Sequence, residues 1–154
     1  AALDPPLTLP HQAPTPRRVA RTSHTYLRVG DAAQARVRGV RGASWHNFAT
    51  GDKGSFDANE LAVAPDTDTV IQGVGPALAL LDSAWGRQIH VETTGCPSAV
   101  VWNPRSSSTH ADNPTAPAWR DFVCVETGAC KDNAVIVAPH SDLTMSTRIS
   151  VETL

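Results

Sequence analysis

Hydrophobic and polar positions alternate one by one along most of this chain, in short runs cut by glycine, proline or asparagine, and that period of two predicts β-strands rather than helices. In the run from Ser23 to Val29, His24, Tyr26 and Arg28 share one face and Thr25, Leu27 and Val29 the other, before Gly30-Asp31 turns the chain. From Gln34 to Val40, Ala35, Val37 and Gly39 oppose Gln34, Arg36 and Arg38. The apolar run Ala77 to Trp85 lies between Gly75 and Gly86 and reads as a strand of a meander, and Gln88 to Glu92 alternates around Ile89 and Val91 with His90 on the solvated face. Ala134 to Val137 is a short strand, and Pro139 to Asp142 a turn. Leu143 to Val151 alternates most cleanly, with Leu143, Met145, Thr147, Ile149 and Val151 on one face, which predicts a half-buried strand closing an antiparallel sheet. Thr50 to Asn59 is polar, contains glycine, and reads as a loop.

Two segments depart from this pattern. Residues 1 to 18 contain Pro5, Pro6, Pro10, Pro14 and Pro16, which remove backbone donors and predict a tail or linker without regular structure over 1–21, ahead of one domain over 22–154. The second departure is apolar on both faces: Ala99-Val100-Val101-Trp102, stopped by Asn103-Pro104, and then Asp121 to Thr127. Within the latter, Glu126 falls on the same face as Phe122 and Cys124. Desolvation there raises a carboxyl group's pKa toward the range of a general base. The competing reading is a strand-end glutamate that reaches water or pairs with an arginine.

Composition narrows the class. Twelve prolines and ten glycines in 154 residues favour many turns and short strands, with enough chain for one real core. The net charge of −2 is uneven, with eight Lys/Arg against Asp4, Asp31 and Asp52 through Lys53. That imbalance suits either solvated strand faces or a basic region facing an anionic ligand. Nucleic acid is a poor partner, because Arg17, Arg18, Arg36, Arg38 and Arg41 are not interleaved with stacking aromatics. Cys96, Cys124 and Cys130 give neither a disulfide framework nor a zinc site, which points to the cytosol and to no metal. No segment is long and apolar enough to span a membrane, and no signal-peptide order is present at the N-terminus, so neither a membrane nor secretion is expected.

Val101-Trp102-Asn103-Pro104, Asp112 in the following loop, and Phe122-Val123-Cys124-Val125-Glu126 together resemble the aldose 1-epimerase superfamily, in particular its hexose-6-phosphate mutarotase branch, the glucose-6-phosphate 1-epimerases. His24-Thr25-Tyr26 with the later Val29-Gly30-Asp31 is similar to that family's His-Thr-Tyr-Phe segment. Gly39 to Trp45 is similar to its Gly-Leu-x-Gly-x-x-Tyr turn, with Asn47 where an Asp is common. Asp68 matches the family's sugar-hydroxyl-binding Asp, although Thr69 and Ile71 depart from its usual neighbours. The resemblance implies an all-β, antiparallel β-supersandwich of the galactose mutarotase type, incomplete because an N-terminal half with a Gly-rich arginine segment and a further His precedes this region in relatives. It implies Glu126 as catalytic base, His24 as general acid, Asp68 as a substrate ligand, and no cofactor.

The implied reaction interconverts the α and β anomers of an aldohexose, in that branch's pattern a hexose 6-phosphate, by ring opening and reclosure. Carboxylate and imidazole suit it, since histidine as a side-chain type changes charge near neutral pH. The expected arrangement sets His24 and Glu126 across one pocket, at opposite edges of the sugar, with Trp102 either stacked on the sugar or in the core. The alternative is a non-catalytic carbohydrate-binding or structural remnant of the fold. Partners implied are a sugar or sugar phosphate and, if edges are left open, self-association or a complementing N-terminal half.

Overall fold

The computed structural model describes residues 6–104 and 119–154. The order of strands is β1 (Leu7–His11), β2 (Arg17–Val19), β3 (Arg21–Ser23), β4 (Tyr26–Arg28), β5 (Arg36–Arg38), β6 (Ser44–Asn47), β7 (Lys53–Ser55) and β8 (Glu60–Ala62). These are followed by β9 (Asp68–Gln72), β10 (Ala77–Asp82), β11 (Arg87–Thr94), β12 (Ser98–Trp102), β13 (Phe122–Ala129), β14 (Val135–Val137) and β15 (Ser141–Thr153). Single 3-10 turns join some of them, and the described residues contain no α-helix. The alternating pattern is therefore expressed as an all-β, antiparallel fold, and no helix among the described residues is long and apolar enough to cross a membrane.

Two large sheets enclose the core. One runs β1-β15-β11-β10-β5-β8, and the other runs β3-β13-β12-β9-β6-β7, with β4 also pairing with β13; β2 and β14 form a small ribbon. Alternation decides what each strand sends inward. Val37, Leu78, Leu80, Ile89 and Val91 from the first sheet meet Ile71, Ala99, Val101, Val123 and Val125 from the second in one buried cluster. A smaller cluster of Cys96, Ala129 and Met145 lies beside Leu9, Val135 and Leu143.

The chain's return after Pro104 is secured by Asn103. This fully buried side chain donates from Nδ2 to the carbonyls of Trp119 and Phe122, both at 2.7 Å, and its backbone N–H bonds to Thr67 O. Arg120 adds a two-pronged bond to Asp31, at 3.0 and 2.6 Å. Asn103-Pro104 thus stops β12 and also anchors the start of β13.

Several expectations need correction. The proline-rich segment is not an irregular tail: β1 pairs with β15 from Leu7↔Met145 to His11↔Ser141, and β2 pairs with β14. Pro10 is tolerated because β1 is an edge strand, where one N–H can be missing without breaking an inner ladder. Leu9, packed beside Met145, supplies the apolar contact. β3 crosses the 21/22 boundary, so that boundary is no structural division. β15 is longer than its clean stretch and lies between β1 and β11 rather than closing the sheet. β7 interrupts the expected loop at Thr50–Asn59 by pairing with β6. The strand read from Ser23 to Val29 is two strands, β3 and β4, separated by His24 and Thr25. His90 is only half solvated and bonds Glu152 at 2.9 Å.

Candidate functional site

β13 is buried along its whole length, yet its two faces differ. Val123 and Val125 enter the core between the sheets, so Phe122, Cys124 and Glu126 must face the other side of their own sheet. Strand register extends that side across the sheet. Glu126 lies opposite Val100, Val100 opposite Val70, and Val70 opposite His46, while Trp102 lies between Cys124 and Asp68. A carboxylate, an indole and a second carboxylate from three strands thereby share one surface.

His24 arrives from the gap between β3 and β4. Because Thr127 pairs with Ser23 and Cys124 with Tyr26, the two-residue interruption sits directly alongside Glu126, and Val125 N–H still reaches Thr25 O across it. His24 Nε2 is 3.3 Å from Glu126 Oε1, the imidazole side chain 48% exposed and the carboxylate 10%. Thr22 Oγ1 donates to the other carboxylate oxygen at 3.2 Å. The imidazole is stacked on Tyr26, with ring centres 4.9 Å apart and planes 9° from parallel, and Trp102 meets it edge-on at 5.9 Å. Burial pushes the Glu126 carboxyl above its ordinary range; His24 and the Thr22 hydroxyl oppose that shift, and Asp68 adds to it.

Thr22, His24 and Glu126 line an open hollow of about 400 Å³ with Asp68, Phe48, Val70, Val100, Trp102, Cys130 and Lys131. All three sequence-selected residues, His24, Glu126 and Asp68, therefore meet on one surface. Asp112 lies outside the described residues. The expectation that His24 and Glu126 face each other across a pocket is corrected: they are in direct contact, because β13 pairs with strands on both sides of the His24 break. Trp102 is partly buried and lines the hollow, so it belongs to the site's wall rather than to the core.

The pattern along the chain did not single out Thr22, Phe48, Cys130 and Lys131. Thr22 was legible only as the residue two before His24. Lys131, by contrast, carried a local signal after the buried strand, the polar stretch Lys131-Asp132-Asn133. Among the described residues, no group of three or more His, Cys, Asp or Glu is placed to hold a metal ion.

No protein-family profile matches the chain. Among curated proteins, it aligns over 108 residues at 26% identity with "Putative glucose-6-phosphate 1-epimerase" of Cenchrus ciliaris, covering 69% of this chain and 33% of that protein. Among solved structures it matches a "putative mutarotase" from Salmonella typhimurium with a TM-score of 0.80 at 21% identity, covering 98% of this chain and 50% of the other. A protein of Synechocystis sp. PCC 6803 gives 0.77 at 15% identity, with 99% and 51% covered. A "putative aldose 1-epimerase" from Escherichia coli K12 gives 0.69 at 16% identity, with 99% and 57% covered. The chain thus spans about half the length of these solved structures and a third of the curated relative. It is similar to proteins named as mutarotases and aldose 1-epimerases, and it has the all-β, galactose-mutarotase-type fold of those solved structures over that part of their length.

Proposed function

We propose that this chain carries the acid–base pair of a sugar mutarotase, acting on an aldohexose and, more narrowly, on a hexose 6-phosphate. The observation that carries the reading is the buried Glu126 carboxylate held 3.3 Å from the half-exposed His24 ring at the floor of an open hollow. Adjacent placement suits the chemistry. The anomeric hydroxyl and the ring oxygen are bonded to the same carbon, so an acid and a base that serve both must stand side by side rather than at opposite ends of the sugar.

The proton count is simple. The pair begins with one shared proton, as Glu126 carboxylate and His24 imidazolium. Glu126 takes the proton of the anomeric hydroxyl while His24 protonates the ring oxygen, and the bond from the anomeric carbon to the ring oxygen breaks to leave an aldehyde. Rotation about the bond from the aldehyde carbon to its neighbour presents the other carbonyl face. Neutral imidazole then removes the proton from the ring hydroxyl as that oxygen attacks, protonated Glu126 returns its proton to the carbonyl oxygen, and the pair is restored.

Burial supports Glu126 as a base by raising its proton affinity. Tyr26 and Trp102 hold the imidazole from two sides. Asp68, on the same surface, is the candidate ligand for a sugar hydroxyl. The names of the relatives agree with mutarotation in general.

The test is nuclear magnetic resonance exchange spectroscopy between the anomers of glucose 6-phosphate and of glucose. Added chain should accelerate exchange, and Glu126→Gln should remove the acceleration. Exchange no faster than buffer would overturn the enzymatic reading for this chain. Its span of about half the length of the solved relatives favours one second reading, a non-catalytic sugar-binding module. Calorimetry identifies that module by sugar binding without turnover. A complementing chain or a second copy is the protein partner consistent with either reading.

A further inference from the structure

The thirteen-residue strand β15 is covered unequally on its two edges. On one side β11 pairs with its later part, from Thr94↔Ser146 to Arg87↔Thr153. On the other side β1 reaches only from His11↔Ser141 to Leu7↔Met145. Among the described residues, nothing pairs with that second edge from Ser146 to Thr153. Pro6 lies outside β1, and in the register of β1 the next N–H that would have to reach β15 belongs to position 5, a proline with none to give. An open edge of this length is a template for another strand.

The phase of the edge is fixed by its other side. Leu154 N–H bonds to the carbonyl of Gly86, so the even-numbered residues of this stretch point their backbone groups at β11. Thr147, Ile149, Val151 and Thr153 therefore point theirs outward. Their side chains stand on the core-facing side of the sheet, Ile149 across from Val91 and Val151 across from Ile89, yet Val151 is 56% exposed. Arg148, Ser150 and Glu152 stand on the outer face. Arg148 lies across from Glu92, and Glu152 Oε2 is 2.9 Å from His90 Nε2.

We propose that this edge pairs with the same edge of a second copy of the chain, antiparallel and about a two-fold axis at Ser150. In a two-fold pairing the outward groups of the two edges meet only when odd-numbered residues face odd-numbered ones, which limits the registers to a few. Centring the axis on Arg148 opposes two guanidinium groups, and centring it on Glu152 opposes two carboxylates. Centring it on Ile149 sets Arg148 against Ser150, and on Val151 sets Glu152 against Ser150. Only the register centred on Ser150 places Arg148 opposite Glu152 of the other copy, twice over. The same register places Ile149 opposite Val151 and so covers the exposed valine. Glu92 and Arg148 of one copy then continue into Glu152 and His90 of the other as one row of alternating charge. The pairing stands apart from the acid–base reading, because β15 belongs to the sheet that does not carry Glu126.

The experiment is sedimentation velocity of the full 154-residue chain over a concentration series, with amide hydrogen exchange on the same samples. Wild-type chain should pass from monomer to dimer, with no larger species, and the dimer should weaken as salt is raised. Protection of the Thr147, Ile149, Val151 and Thr153 amides should rise with concentration, while that of the even-numbered amides between them stays constant. Arg148→Glu should weaken the dimer about tenfold or more, and Arg148→Glu/Glu152→Arg should regain most of the loss. Val151→Pro removes an outward N–H while the ladder to β11 keeps its donors, so that variant should be folded and monomeric. A chain that is monomeric at every concentration overturns the proposal. So does a dimer that persists in folded Val151→Pro, or one that is as tight in Arg148→Glu as in wild type. Outward amides already protected in the monomer overturn it too, because the edge is then covered within one chain. Oligomers that grow without limit place the contact on a different edge.

Discussion

Gly128 on β13 lies opposite Thr22 on β3, and the strands approach so closely there that a Cβ at position 128 would collide with the Arg21 carbonyl oxygen and sit 2.7 Å from Thr22 Cα. That approach lets Thr22 place its hydroxyl on Glu126, two residues away on the same strand. Glycine at 128 is thus a requirement of the site as well as of the sheet.

Gly128→Ala should therefore displace β3, cost about 1–3 kcal/mol as an overpacking change, and slow anomer exchange by loosening the Thr22–Glu126 contact. Urea unfolding and the exchange assay read the two effects. An unchanged midpoint together with unchanged exchange would show that β3 yields freely.

The raised pKa of Glu126 has a consequence for stability with a definite sign. Between its ordinary pKa and the raised folded value, the folded chain holds more protons than the unfolded chain. The associated stability is fully present below the ordinary carboxylate pKa and is lost as pH rises through the folded value. Glu126→Gln cannot ionise, so its stability relative to wild type should increase as pH rises through that window. Denaturant midpoints at a series of pH values check this, and parallel curves for the two proteins would contradict the buried-carboxylate assignment.

In catalysis, Glu126→Gln should lower the exchange rate roughly 10²–10⁴-fold, since the amide keeps the shape but cannot accept the anomeric proton. His24→Asn should cost a similar order, and on the proposed mechanism, in which the two form one proton-transfer unit, the double variant should cost little more than either single one. Thr22→Val removes a hydrogen bond that holds the Glu126 pKa down, so the acid limb of the pH–rate profile should move to higher pH. A profile unmoved by Thr22→Val would detach that limb from Glu126.

The thiols should be unreactive while the chain is folded. Burial pushes Cys124 up to about 12, with the Glu126 charge adding to it, and burial also raises Cys96 and Cys130. Since the thiolate is the reactive form, alkylation at pH 8 should be slow at all three positions and become fast in denaturant. Rapid labelling of Cys124 in the native chain would mean that β13 opens readily.

Away from the site, Ile71→Ala deletes a fully buried side chain on β9 from the main cluster and should cost roughly 2–5 kcal/mol. Ile71 faces the core while its neighbour Val70 faces the hollow, so the sugar affinity expected of the site should be nearly unchanged wherever the variant remains folded. A comparable loss of affinity would show that core packing and site geometry are coupled.

Sequence alone determined what depends on neighbours along the chain. Period-two alternation requires only that successive side chains point to opposite faces, so β4, β5, β10, β11 and β15 were legible, as was the doubly buried β13 with its misplaced carboxylate. A strand's partners are a different matter, because backbone hydrogen-bonding groups are the same in every residue but proline and packing selects among the possible pairings. The interruption at His24–Thr25 reads as continuous strand until β13 is seen to pair on both sides of it, and that pairing turns an expected separation of His24 and Glu126 into contact. Pro10 forbids a strand only in a sheet's interior, and nothing local says that β1 lies at an edge. Arg148 and Glu152 are ordinary surface charges in the sequence; they stand beside an open edge because the pairing of β1 with β15 runs out at Met145.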